Sequence, residues 1–429
     1  MKNQLFAVTL TLVSILIIAA ATVSGLAALP AAPFLVYLIG AAVLRGGSPQ
    51  LEVTRTLDRT RVVPREPVTV TVTIRNHGAA VRELIAIDQV PHGLSVIQGK
   101  PRVQATLEKD AELTWSYTVA GNRGSYLFTG VKVTASGDLP LWSDTLFLEA
   151  SDELVTLPGQ RELSRIPIAP RRTLVYSGTL PARRGGEGTE FFDVAEHRDE
   201  ALRHVNWRVS ARQADRLFVN KFQEERVADV AILLDLRSRA YPLKGWLPLF
   251  DAAASAAASL ADVLLDTGNR VGYLGYGLSL DWLSPGFGKH QKHLLLSRIA
   301  RSMPGDSHVF HRFDEIPYRL FPAGSQVIVV SPLMGDDFRA LEQLQQIGYA
   351  VLVISPDAVG YERKIADPQP SEGAWRLARA ERLAILQRLR RSSVAVIDWD
   401  TDTPLETAVS RSIGAIQATW RRSFHRRLR

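Results

Sequence analysis

Between Lys2 and Arg45 the chain carries no charged residue. The run "LFAVTLTLVSILIIAAATVSGLAALPAAPFLVYLIGAAVL" is about twice the roughly 20 apolar residues that one bilayer crossing needs. Gly25, Pro30 and Pro33 fall near its middle, where a turn tolerates lost backbone donors. The pattern predicts a transmembrane helical hairpin over residues 1–46, with spans near Leu5 to Val23 and Ala31 to Leu44. Lys2 precedes the pair and Arg45, Arg55, Arg59, Arg61 and Arg65 follow it, so the positive-inside bias puts both termini and the soluble domains in the cytoplasm. Two rivals stand beside this. "IIAAATVSG" has the small residues of a signal-peptide cleavage site, which would leave one crossing, and Lys2 alone is a thin basis against the reversed orientation.

With 429 residues, 46% hydrophobic and 22% charged, the chain has room for two or three domains. It has no cysteine, which excludes disulfides, thiolate nucleophiles and cysteine-ligated zinc. The net charge of +7 suits an anionic partner, but it is spread along the chain. Its densest patch, "WRRSFHRRLR" from Trp420 to Arg429, reads as a solvated helix end, with a membrane-facing or nucleic-acid patch as the alternative. Membrane lipid is therefore the expected anionic neighbour and nucleic acid is not.

Residues 47–158 alternate with period two in "VTVTVTIRN", "LTWSYTVAG" and "YLFTGVKVTA", broken by "NHG", "PHG" and "GNRG". This predicts an all-β, immunoglobulin-like sandwich of about seven strands. After Val227 the punctuation changes to short apolar strands ("ADVAILLDL", "NRVGYLGYG", "SQVIVVSPL", "YAVLVISP", "SVAVIDWD") between helical stretches such as "LFDAAASAAASLADVLLDTG". Residues 227–429 thus read as an α/β domain with a doubly wound, mainly parallel sheet. Ligands in such folds gather at the carboxyl ends of the strands.

Between the two lies a Gly/Arg-rich segment, 159–226, containing "GEGTEF", "RHVNWRVSAR" and "FVNKFQEER". With the α/β pattern that follows, it resembles the domain of unknown function 58 family, whose α/β part is similar to von Willebrand factor A domains. Gly186, Gly188, Glu190, Phe191, Arg203, Trp207, Ser210, Ala211 and Arg212 stand where that pattern expects them. Val194, Ala195, His197 and Asp199-Glu200 depart from it. The glycines would allow close approach to neighbouring sheets, the arginines would pair with Glu190, Asp199, Glu200 and Asp215, and Trp207 with Val205 and Val209 would form a buried anchor. The segment is expected to be a structural latch.

Von Willebrand A domains often hold a divalent cation through Asp-x-Ser-x-Ser after the first strand, with further ligands from later loops. Here Asp235 is followed by Arg237 and Arg239 in place of the serines, and the later strand ends in Ser331-Pro332. Two guanidiniums beside one carboxylate repel a cation and can pair with the carboxylate themselves. The expected site is a degenerate one without metal, its Asp235, Arg237 and Arg239 forming a partner face. Asp336 and Asp337 either lie near the same edge or start the next helix. The pairs His290/His293 and His308/His311 have the i, i+3 spacing of ligands on a helix but no completing carboxylate. "GYLGYG" and "GFGKH" lack the spacing of nucleotide loops, and no G-x-S-x-G occurs. No catalytic residue and no cofactor is assigned.

The resemblance implies a membrane-anchored cytoplasmic scaffold or adaptor, a companion of MoxR-type AAA+ ATPases in protein assembly or maturation. Homo- and hetero-oligomers both stay open. The alternatives are a hydrolase using Asp199, Glu200 or His197, and an extracytoplasmic adhesion or sensor module.

Overall fold

A computed structural model describes the chain except for residues 1, 22–24, 44–48, 137–142, 161, 171–172, 198–204, 213–215, 308 and 426–429. For 2–6, 25, 41–43, 143, 173–193, 221–226 and 422–425 it describes the backbone alone. The chain divides into two compact units, Met1–Leu157 and Pro158–Arg429.

The first unit opens with helices α1 (Lys2–Ala21) and α2 (Ala31–Val43), joined through a 3-10 turn at Gly25–Ala28. Their described apolar stretches, Ala7–Ala21 and Ala31–Gly40, are each shorter than the roughly 20 residues of a full crossing. Nine strands follow: β1 (Leu51–Leu57), β2 (Arg61–Val62), β3 (Val68–Asn76), β4 (Val81–Asp88), β5 (Leu94–Gly99), β6 (Arg102–Leu107), β7 (Glu112–Gly121), β8 (Gly124–Ser136) and β9 (Ser143–Thr156). They form two sheets, β1-β3-β7-β5 and β2-β9-β8-β4-β6. In β3 the alternation Val68, Val70, Val72, Ile74 puts every second side chain inward. These meet Leu84 and Ala86 of β4 and Phe128, Val131 and Val133 of β8 in one core, so the two sheets pack face to face.

The second unit begins with β10 (Thr173–Glu196), the one-turn helix α3 (Trp207–Ser210) and the long β11 (Phe218–Leu236). It continues through α4 (Trp246–Asp266), β12 (Arg270–Gly277), β13 (Leu280–Gly286), α5 (Gly288–Arg301), β14 (Gln326–Val330), α6 (Asp337–Ile347) and β15 (Ala350–Pro356). Helices α7 (Ala358–Ile365) and α8 (Glu372–Arg391), strand β16 (Ala395–Trp399) and α9 (Leu405–His425) complete it. The sheet order is β13-β12-β11-β14-β15-β16. All neighbours from β12 to β16 are parallel, and β13 is an antiparallel edge. The first half of β11 pairs instead with β10, antiparallel, through several register shifts. The expected parallel sheet is present, and β10 and β13 are the strands that the reading of continuous apolar runs did not separate.

Because the central strands are buried on both faces, their alternate side chains serve two cores. Ala231, Leu233, Val327, Val329, Val351 and Val353 pack with Phe338, Leu341 and Leu344 of α6 and Leu386 and Leu389 of α8. Helix α4 lies against β11, β12, β14 and β15, and its run of buried alanines from Ala252 to Ala261 allows a close approach. Among the described residues α4 is the one helix long and apolar enough to cross a membrane, and 67% of that window is buried inside the protein. Its hydrophobicity is explained by its place in the core. The "WRRSFHRRLR" patch ends α9, with residues 426–429 outside the described part.

Strand order reverses at β11, which has β12 on one side and β14 on the other. The crevice beyond the carboxyl end of β11 is therefore the switch point, where ligands of open α/β sheets bind. The approach of β12 to β11 is tightest here: a Cβ on Gly277 would lie 2.3 Å from the carbonyl carbon and oxygen of Leu236. Backbone cannot yield as a side-chain tip can, so Gly277→Ala should destabilise the α/β unit by about 1–3 kcal/mol. Urea unfolding of the full chain, followed by tryptophan fluorescence, measures this as a lowered midpoint.

Candidate functional site

At the switch point stands the side chain of Arg237, 2% exposed. Strand β11 ends at Leu236, and the bridge from Arg237 to Gly305 turns the chain so that the guanidinium folds back over the strand end. Its Nε donates to Asp235 Oδ1 at 2.9 Å and its Nη2 to Asp235 Oδ2 at 2.8 Å. On the other side Nη1 and Nη2 donate to Asp337 Oδ1 and Oδ2, each at 2.8 Å. The remaining Nη1 proton points to the carbonyl of His311 at 3.5 Å. All five guanidinium protons thus face acceptors. The ring of Phe313 closes one face, 3.8 Å from Cζ.

The two carboxylates are held in turn. Ser331 Oγ donates to Asp235 Oδ2 at 2.6 Å, and the backbone N–H of Met334 donates to Asp337 Oδ2 at 2.7 Å. Burial alone would favour a neutral guanidine, but the attraction and hydrogen bonds of Asp235 and Asp337 override it and raise the pKa of Arg237. For Asp337 burial is the largest influence and raises its pKa, with Arg237 pulling the other way.

This geometry corrects one expectation and refines another. Arg237, expected on an exposed partner face, is interior, as is Asp235. Only Arg239 of that trio faces solvent, bonded to the His311 carbonyl. The pairing with Asp235 was anticipated, and the second carboxylate is Asp337. Asp336 stays outside at 56% side-chain exposure, 3.6 Å from Arg312.

A second buried guanidinium closes the neighbouring strand ends. Arg382 of α8 donates through Nη1 to the Pro332 carbonyl and Ser355 Oγ, both at 3.1 Å. Its Nη2 reaches the Ser355 carbonyl at 3.1 Å and Asp398 Oδ1 at 2.6 Å, and its Nε lies 3.1 Å from Asp357. The sequence reading missed it. Its signal was the period: Trp375, Arg382, Leu386 and Leu389 are the buried residues of α8, so Arg382 sits in a helical apolar stripe.

In the 159–226 segment, Gly186, Gly188, Glu190 and Phe191 lie on β10, where Gly186 and Phe191 both register with Phe222 across an irregularity. Arg203, Asp199, Glu200 and Asp215 lie outside the described residues. Trp207 is 64% exposed, which overturns its reading as a buried anchor. In the one-turn helix α3 the indole points outward, and smaller residues do the holding. Asn206 caps the turn at Val209 N and bonds Asn220, while Ser210 Oγ accepts from Phe218 N at 2.8 Å. Val205 is buried and bridges Val219. Ala211 and Arg212 are exposed, and His197 is half-buried with its N–H on the Leu217 carbonyl. His290 and His293 are exposed on α5, and His308 is outside the described residues. His311 lies 3.5 Å from Glu315. Among the described residues no group of three or more such side chains is placed to hold a metal.

Residues 197–382 match the family described as "Protein of unknown function DUF58". The chain carries a DUF58-family domain. Both buried arginines, with Asp235 and Asp337, fall inside it. No curated protein matches the chain. Among solved structures it is similar to the CARDB domain of a Pyrococcus furiosus protein crystallised with di-metal ions, at 14% identity over 24% of this chain and 88% of that one, with a TM-score of 0.17. A FixG-related protein from Vibrio parahaemolyticus gives 12% identity over 25% and 95%, with a TM-score of 0.18. Likeness at this level carries no argument about the present chain.

Arg237→Leu should cost about 3–5 kcal/mol, because two buried carboxylates lose their counter-charge. Adding Asp235→Asn and Asp337→Asn to it should recover much of the loss, and Arg239→Ala alone should leave the unfolding midpoint unchanged. Millimolar Mg²⁺ against chelator should not move the melting of the natural chain, where a saturating specific ion would add roughly 2–3 kcal/mol. Trp207→Ala, by contrast with a core tryptophan, should change stability by less than about 1 kcal/mol. Parallel urea titrations measure all of these.

Proposed function

We propose that this protein is a membrane-anchored cytoplasmic scaffold or adaptor that works with a MoxR-type AAA+ ATPase in the assembly or maturation of other proteins. In this reading the sandwich is an immunoglobulin-like spacer and the parallel sheet is von Willebrand A-like. The two N-terminal helices form the membrane anchor, with both soluble units on the cytoplasmic side.

The observation that carries the reading is Arg237. The crevice at the switch point is where a sheet of this order would bind a cation or small ligand, and a side chain of the protein itself fills it. A guanidinium clamped by two carboxylates supplies neither an open coordination position nor a free base. What it supplies is rigidity, which suits a domain that presents a surface. The resemblance to the family adds the ATPase as partner.

Two measurements test this. The detergent-solubilised full chain, used as bait in extract of its own cells, should retain an AAA+ ATPase of the MoxR type; repeated recovery of none would remove the adaptor reading. A reporter active only in the periplasm, fused after Arg429, should stay inactive, and an active fusion would reverse the topology.

A further inference from the structure

Helices α7 and α8 enclose a groove of about 700 Å³ beside the strand ends. Each helix turns one stripe toward it: Val359 and Arg363 on α7, and Trp375, Arg376, Arg379 and Leu383 on α8. Steps of four, from Val359 to Arg363 and from Trp375 through Arg379 to Leu383, and of three, from Arg376 to Arg379, keep them on one face. The floor is apolar. Trp375 is buried and Leu383 keeps 38% of its surface. The rim is cationic, since Arg363, Lys364, Arg376 and Arg379 line the groove and Glu372 is the single lining carboxylate.

Each cation on this rim has a carboxylate partner. Arg363 and Arg376 share Glu372, at 2.8 and 3.7 Å, and Arg376 is 80% exposed. Arg379 reaches Asp357, and Lys364 reaches Asp402 and Asp400. The Glu372 pairs are exposed and contribute little, so an incoming carboxylate can replace or share them at small cost, whereas Arg379 is held by the mostly buried Asp357. The rim is thus matched to a negatively charged occupant and the floor to an apolar one.

We infer that the groove docks an acidic amphipathic helix of a partner protein, with leucine-like side chains on the floor and carboxylates against Arg363 and Arg376. The stripe from Trp375 to Leu383 spans nine residues, about 12 Å at a rise of roughly 1.5 Å per step, which accommodates roughly two turns of a guest helix. A bilayer fits less well, because Glu372, Asp357, Asp400 and Asp402 border the same cations and would face a continuous anionic surface. A small anion lacks a group to fill the floor. The proposal deepens the adaptor reading by giving it a surface. It rests on that reading only in expecting a protein partner.

The test uses the full chain in phosphatidylcholine nanodiscs and three fluorescein-labelled helical peptides of about 16 residues, roughly four turns. One carries glutamates on one face and leucines on the other, the second has lysine for every glutamate, and the third has alanine for every leucine. The Glu/Leu peptide should bind saturably, and each of the others at least about tenfold more weakly. In the chain bearing Arg363→Glu and Arg376→Glu, both exposed, the preference should pass to the Lys/Leu peptide with the thermal midpoint unchanged. Equal binding of the Glu/Ala peptide, an unaltered preference in the charge-swapped chain, or no saturable binding would overturn the proposal. So would displacement of the peptide by phosphatidylserine in the disc, or self-association of the chain that the swap abolishes. Failure here with the ATPase still captured would remove the groove alone, whereas peptide binding without capture would remove the ATPase and keep the groove.

Discussion

The α/β unit is organised around one interior cation and two interior carboxylates. Arg237 lies between Asp235, at the end of β11, and Asp337, at the start of α6. It therefore ties the central strand to a helix about 100 residues further along the chain. Ion pairs in a low-dielectric interior seldom add net stability over an apolar replacement, because each charge has been taken out of water. Their cost appears when one partner is missing. Such a clasp acts mainly by making every other arrangement of these segments worse, and so it fixes the loop between β14 and α6, where Ser331 and Met334 complete the network.

Arg382 repeats the device one step across the sheet, joining α8 to the ends of β15 and β16. The two guanidiniums reach adjacent residues of one loop: Ser331 bonds the carboxylate that holds Arg237, and the Pro332 carbonyl accepts from Arg382. The face on which open α/β sheets keep their chemistry is thereby made of internal contacts. Exposed charges lie instead at Arg239 and on the rim of the groove between α7 and α8, where Arg363 and Arg376 share Glu372.

The sandwich unit contains a related arrangement of its own. Arg55 is buried, donates to both oxygens of Asp88 at 3.1 and 2.5 Å, and lies over the Phe128 ring at 4.9 Å. Tyr117 adds a hydrogen bond to Asp88 at 2.6 Å, and burial together with that bond raises its phenol. This charged pair inside a small all-β core ties β1 of one sheet to β4 of the other. Hydrophobic alternation alone specifies each strand's face but not its partner.

The sequence by itself determined the two layers of architecture, because periodicity is a local property. The alternation in "VTVTVTIRN" can bury one face only in a sheet, and the apolar runs "ADVAILLDL" and "YAVLVISP" can be satisfied only between covering helices. It also showed two arginines, Arg237 and Arg239, just after Asp235 at the end of an apolar strand. Burial of single residues was beyond it. Trp207 is large and apolar yet faces solvent, while Arg237 and Arg382 are charged yet interior. Apolar length alone is equally ambiguous at α4, which is long enough to cross a membrane yet packs its alanines against the sheet. Whether a guanidinium can leave water depends on carboxylates from Asp337 and Asp398 arriving in the right geometry, at separations in sequence of 100 and 16 residues. Only the tertiary structure brings those acceptors together, because the energy of a buried charge is set by its neighbours in space and not by its own chemistry.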